Sequence, residues 1–187
     1  LIGKGPGARS VRINLPTFTL IGATTRISLL SAPLRNRFGI IEKLDFYNQN
    51  DLSAIVTRSA TVMNISIDRD ASEEIARRSR GTPRIANRIL KRVRDFAQYY
   101  GKSAIDKELV RDALECLEID DMGLNRMDRN LLKILMDHYH GGPVGINNLA
   151  TMLGEDTATV EEVYEPFLIK VGLLIRTPRG RMITPQG

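Results

Sequence analysis

One cysteine, no tryptophan and only two histidines in 187 residues remove several chemistries at once. Cys116 has no partner for an internal disulfide, and with His138 and His140 it makes no metal-ligand set at usable spacing. No apolar run approaches the roughly 18 residues a membrane span requires, and the first residues lack the charged-then-apolar order of an export signal. These absences point to a cytoplasmic protein without membrane contact. Also missing are a Gly-x-x-x-x-Gly-Lys-Ser/Thr phosphate loop and an apolar run ending in Asp-Glu that would hold magnesium. Lys4-Gly5-Pro6-Gly7 has glycine and lysine in the wrong order and number to cradle a nucleotide. There is no low-complexity tract and no internal repeat, and 26% charged with 42% hydrophobic residues is the composition of an ordinary globular chain.

What is present is uneven in charge. The net charge of +5 sits wholly in residues 1–44, which hold seven Lys/Arg against one acid, whereas 45–121 hold thirteen against fourteen and 122–187 seven against seven. Overall basicity therefore says little about nucleic acid, and any binding surface must come from local clustering. The chain opens on Leu1 inside an apolar segment, which suggests a fragment.

Residues 1–44 read as strands and turns. Val11, Ile13 and Leu15 alternate with Arg12 and Asn14 as in a half-buried hairpin strand, and residues 18–21 suit a buried strand feeding the loop Thr24-Thr25-Arg26. From residue 51 the period becomes helical. One helix carries Leu52, Ile55, Val56 and Ser59 on a face, with Asn50 or Asp51 as cap. A second spans 70–80 and is closed by Gly81. A third begins at Thr82-Pro83 and buries Ile85, Ile89, Leu90, Val93, Phe96 and Ala97, and a fourth is capped by Asp106. After the linker 120–123, Asp128 is expected to cap a helix ended by Gly141-Gly142-Pro143. A short helix over 146–153, a longer one over 157–171 and a strand pair, 173–177 and 181–184, follow. Three helices and then a hairpin is the order of a winged helix.

Two clusters of cations suggest binding. Glu161, Glu162 and Glu165 recur on the helix that would occupy the recognition position, and carboxylates repel phosphate. Arg176, Arg179 and Arg181 crowd the hairpin tip, so DNA would be gripped by the wing through backbone phosphates, without strong sequence readout. The competing reading is a protein-docking module with solvated arginines. Arg84 stands in the first turn of its helix, where the macrodipole disfavours a cation; a phosphate or a nearby carboxylate would compensate, and the residues leave both open. Arg35 and Arg37 lie in a loop or short helix with only Glu42 to neutralise the seven cations of that segment. They could serve a nucleotide that the segment itself cannot hold.

The stretches Ile-Gly-Ala-Thr-Thr-Arg (21–26), Pro-Leu-Arg-Asn-Arg-Phe-Gly (33–39), Arg-Gly-Thr-Pro-Arg-Ile-Ala-Asn-Arg (80–88), Gly-Gly-Pro-Val-Gly (141–145) and Arg-Thr-Pro-Arg-Gly-Arg (176–181), in this order and spacing, resemble the C-terminal part of the RuvB family of Holliday-junction branch-migration AAA+ ATPases. The resemblance covers essentially the whole chain. It implies a mostly α fold with short β: the C-terminal remnant of an AAA+ α/β core (1–44), a four-helix lid (45–121) and a winged-helix domain (122–187). It further implies a hexameric, ATP- and Mg2+-dependent motor that pumps duplex DNA at Holliday junctions in recombination and repair. Thr25 matches the sensor 1 position, Arg37 the arginine finger acting on a neighbouring subunit's nucleotide, Arg84 sensor 2, and Tyr47 a position beside the base. The hairpin within 1–16 corresponds to the element that docks onto RuvA. The wing corresponds to the DNA contact, with Arg179 foremost beside Arg176 and Arg181. Without a phosphate loop, this segment alone is expected not to hydrolyse ATP. The alternative is a non-enzymatic winged-helix DNA-binding or adaptor protein.

Overall fold

The computed structural model describes residues 16–24 and 27–186. The hairpin strand at 11–15 and Thr25 lie outside them. The chain divides into two compact units, 1–44 and 45–187.

In the first unit a 3-10 turn, Ile27–Leu29, precedes a short helix α1, Ala32–Arg35, with Pro33 in its first turn. The expected buried strand at 18–21 is not formed: those residues carry no regular structure, and Phe18, Leu20 and Ile21 are exposed. The physical reason is that a strand needs a ladder partner and a covering layer. Among the described residues of this unit there is neither strand nor sheet.

The second unit has two separate cores. Around the first lie α2 (Gln49–Val62), α3 (Arg69–Arg77), α4 (Pro83–Tyr99) and α5 (Lys107–Cys116), which pool Leu52, Val56, Ile75, Ile89, Leu90, Val93, Leu109 and Leu114. A parallel pair, β1 (Ser66–Ile67) with β2 (Ala104–Ile105), ties the turn before α3 to the turn before α5. α4 starts as expected, with Thr82 extended and Pro83 supplying the preset φ of a first helical residue. α2, in contrast, is capped by Asn48, whose side chain accepts from the Asp51 N–H, and not by Asn50 or Asp51. α3 ends at Arg77, short of Arg80, because Arg80 and Gly81 both take left-handed φ values of 57° and 76° that no helix continues through.

Asp106 caps α5 by accepting from the Leu109 N–H at 2.7 Å, and it also pairs with Lys102 at 2.9 Å. The Leu109 bond first, then Lys102, holds its carboxyl below the usual carboxylate range. A folded-state pKa below the unfolded one gives stability that is present above the unfolded pKa and lost as pH falls through the folded one. Asp106→Ala is therefore expected to destabilise the protein by about 1 kcal/mol at neutral pH. The gap should narrow as pH drops below about 4, which urea titrations of both proteins at two pH values would measure.

The second core lies beneath α6 (Arg126–Tyr139), α7 (Ile146–Leu153) and a long helical segment, with Leu131, Leu135, Leu149, Val160, Leu168 and Leu174 inside. α6 is capped by Asn125; Asp128, expected at the cap, is instead the third helical residue, whose carboxylate reaches back to the Asn125 N–H. The segment expected as one helix over 157–171 is α8 (Thr157–Thr159), a π-helical turn (Val160–Tyr164) and α9 (Glu165–Lys170). Pro166 explains the break, since it has no N–H to return to the carbonyl four residues back and its ring crowds that turn. Val163, within the wider turn, is exposed. The hairpin is β3 (Leu174–Thr177) against β4 (Gly180–Ile183), and Val144 adds a third rung through reciprocal bonds with Arg181 of 2.9 and 2.8 Å. Gly180, at φ 134°, permits this approach: a Cβ there would lie 2.2 Å from the Val144 carbonyl oxygen.

Candidate nucleotide-facing and DNA-facing sites

Arg84 emerges from a turn that the sequence builds in three steps. Arg80 and Gly81 reverse the chain, Thr82 extends it, and Pro83 begins α4. Thr82 makes no side-chain cap and the first turn holds no acid, so the positive end of a 17-residue helix is uncompensated. Arg84 adds an exposed guanidinium there, and among the described residues no carboxylate pairs with it. The Tyr47 N–H donates to the Gly81 carbonyl at 3.0 Å, which ties the half-exposed Tyr47 ring to the turn three residues before Arg84. An unpaired guanidinium at a bare helix N-terminus suits phosphate oxygens, and a flat, open aromatic face beside that turn suits a base. These residues fit a nucleotide. The described residues contain no group of three His, Cys, Asp or Glu side chains placed to hold a metal ion.

Arg37 follows α1 in a tight turn closed by bonds from the Arg37 N–H to the Leu34 carbonyl and from the Phe38 N–H to the Arg35 carbonyl. The Phe38 ring lies against Gly22, Arg35 is partly covered, and Arg37 projects into solvent without an ion partner among the described residues. Thr25 lies outside the described residues.

The three wing arginines do not share one environment. Arg176 and Arg181 face each other across β3 and β4, a like-charge pair that would repel if left bare. Glu165, wholly buried, resolves this by bridging them, with Arg176 Nε at 2.6 Å and Arg181 Nε at 2.7 Å. Glu161 adds its carboxylate to Arg181 at 2.6 Å and its carbonyl to Arg176 at 3.2 Å. Burial alone would lower the Arg181 pKa, but the bonds to Glu165 and Glu161 outweigh it and raise it, so this side chain stays cationic. Two of the carboxylates read from the sequence as phosphate-repelling thus hold the wing to its helix. Arg179 differs: the Thr177 hydroxyl fixes its backbone by accepting from the Arg179 N–H and donating to the Gly180 carbonyl, while its side chain is exposed. It borders an open cleft of about 400 Å³ shared with Asn147 and Asn148 at the start of α7.

Sequence reasoning missed a further set, Arg78, Arg80, Asp128, Phe167 and Lys170, which joins the two cores. The signal present in the sequence was Arg80 directly before Gly81, a cation at a helix exit with no local acid.

Four helices around one core, followed by a winged helix around a second, have the layout of an AAA lid and the domain that follows it. Three family profiles match in sequence: "Holliday junction DNA helicase RuvB P-loop domain" over residues 1–44, "RuvB AAA lid domain" over 47–120 and "RuvB C-terminal winged helix domain" over 121–187. The chain belongs to the RuvB family. It is 55% identical over 187 residues to the Holliday junction branch migration complex subunit RuvB of Lacticaseibacillus casei, covering all of this chain and 55% of that protein. To the Fusobacterium nucleatum subunit it is 54% identical over 186 residues, covering 56% of it. Among solved structures, a point mutant of Thermotoga maritima RuvB superposes with a TM-score of 0.86 at 50% identity, over 95% of this chain and 59% of that one. The Thermotoga maritima RuvB Holliday junction branch migration motor gives 0.80 at 50% identity, over 85% and 53%. The chain spans about half the length of the curated relatives it matches.

Proposed function

We propose that this chain is the C-terminal portion of an ATP-driven subunit that moves duplex DNA at Holliday junctions, working in the cytoplasm as part of a hexameric ring. The observation that carries this reading is the exposed Arg84, unpaired among the described residues, at the bare N-terminus of α4, with Tyr47 bonded to the turn before it. Bound ATP with Mg2+ would supply the phosphoanhydride whose hydrolysis drives movement. Arg84 holds phosphate oxygens from the lid, and Tyr47 lies against the base. Arg37 offers its guanidinium to the triphosphate of a neighbouring subunit, and Thr25 is assigned the sensor 1 role. Arg179 grips a DNA phosphate, while Arg176 and Arg181 shape the wing that presents it. The segment 1–16 docks onto RuvA. The 187 residues, which contain no phosphate loop, supply these contacts and do not hydrolyse ATP by themselves.

Two measurements on the full-length protein test the assignments. Arg84→Ala should weaken nucleotide binding by about tenfold to a hundredfold, the worth of a charge-assisted contact; a fluorescent-nucleotide titration showing unchanged affinity would remove Arg84 from the site. Arg179→Ala should weaken duplex binding equally for unrelated sequences and reduce the slope of log K against log salt by about 1. A loss confined to one sequence would contradict a phosphate contact.

A further inference from the structure

The junction between the two cores serves neither the nucleotide nor the DNA directly, yet it is built at a cost. Arg80 turns its guanidinium onto the winged helix: Nε donates to the Gly123 carbonyl at 2.7 Å, Nη2 pairs with Asp128, and the group lies 4.5 Å from the centroid of the Phe167 ring. Asp128 is completely buried and Arg80 is 12% exposed, so both charges are desolvated and depend on each other. One residue on, Gly81 is wedged between Phe46 and Lys170: a Cβ there would lie 2.9 Å from Phe46 Cβ and 2.7 Å from Lys170 Nζ. Lys170 itself stands 3.7 Å above the Phe46 ring. Two residues before Arg80, Arg78 binds Glu74 and the linker residue Asp121, each at 2.6 Å. Residues 78–81 are thus held by the winged helix and its linker.

That placement matters because of what lies on either side. Phe167 and Lys170 belong to α9, and Glu165 at its first position carries Arg176 and Arg181 of the wing. In the other direction, Arg80 and Gly81 are followed by Thr82 and then Pro83, whose ring fixes φ, so little backbone freedom separates the junction from Arg84. A displacement of α9 has few compliant residues to cross before it reaches the phosphate-facing side chain.

We infer that Arg80 is a positioning residue that couples the two ends of this unit, so that DNA on the wing and phosphate at Arg84 each strengthen the other's binding through the Arg80–Asp128–Phe167 junction. This rests on the assignments of Arg84 and Arg179 above. Coupling of binding is reciprocal and typically amounts to about 5- to 150-fold. It is a property separate from either affinity alone.

The test uses the full-length protein, a fluorescent duplex and a non-hydrolysable ATP analogue. Duplex Kd is measured with and without saturating analogue, and the ratio is the coupling. We expect about tenfold in the wild type, within the usual range. Phe167→Leu keeps an apolar side chain in place and Arg80→Gln removes the charge; each should reduce the ratio to below about twofold while the two separate affinities stay near wild type. The double variant should lose no more than either single one, as for residues of one network. Arg80→Lys should restore part of the ratio. Independently, duplex added without nucleotide should slow amide exchange at residues 84–86 in the wild type and not in Phe167→Leu. A full coupling ratio in both single variants, or exchange at 84–86 indifferent to duplex in the wild type, overturns the inference. Failure of the underlying assignments shows elsewhere, as an Arg84→Ala protein with unchanged nucleotide affinity or an Arg179→Ala protein with unchanged duplex affinity.

Discussion

Arg37→Ala, made in the full-length protein, is expected to leave nucleotide affinity largely intact and to lower turnover by about 10³- to 10⁵-fold, the worth of an arginine finger in phosphoryl transfer. The turn that presents Arg37 is closed by backbone bonds and by the Phe38 ring against Gly22, not by the arginine side chain. Truncating an exposed guanidinium with no ion partner among the described residues should therefore cost the fold little, and lost turnover cannot be ascribed to unfolding. Mixing the variant with a subunit defective in its phosphate loop should restore part of the activity, because a sound finger then faces a sound nucleotide site at some subunit boundaries. Steady-state phosphate release on such mixtures measures this. If no ratio of the two proteins recovers activity, the finger does not act across a boundary.

Glu165→Ala is expected to lower stability by about 3 kcal/mol, the lower end of the range for deleting one partner of a buried ion cluster. The lower end applies because Arg176 is half-exposed and can rehydrate, and because Arg181 keeps Glu161. The opposed Arg176 and Arg181 would then face each other with one carboxylate fewer between them, and α9 would lose its tie to the wing. Calorimetry should show a fall in Tm of about 10 °C. The same cluster makes Arg181→Ala a stability variant before it is a DNA-binding variant. Weaker duplex binding in that protein with an unaltered Tm would show that Arg181 contacts DNA directly and that its pairing with Glu165 is dispensable.

Local chemistry made some of this legible in advance. Thr82-Pro83 and the apolar stripe from Ile85 to Ala97 announce α4 because a preset φ and a 3.6-residue period are both written within a few positions. Asp106 as a cap, α7 over Ile146–Leu153 and the hairpin around Pro178-Arg179-Gly180 were readable for the same reason. Errors arose where several residues could do one job, as with Asn48, Asn50 and Asp51 at the start of α2, or where one residue changes the helix type, as Pro166 does. The expected strand at 18–21 failed because a strand's apolar composition does not contain its ladder partner.

The site divides along the same line. Residue type and neighbours marked the clusters Arg35 with Arg37 and Arg176 with Arg179 and Arg181, and the unusual place of Arg84 in a first helical turn; the ordered motifs around them carried the resemblance, which singled out Arg37 and Arg179. The fates of Arg176, Arg181, Glu161, Glu165 and Arg80 were decided only by folding. Their partners lie far off in the chain, 16 positions for Arg181 with Glu165 and 48 for Arg80 with Asp128. Sequence determines the charges and the helical faces of this protein because those act within a turn or two. Which carboxylate neutralises which guanidinium depends on packing that brings distant elements within 3 Å, and only tertiary structure supplies that distance.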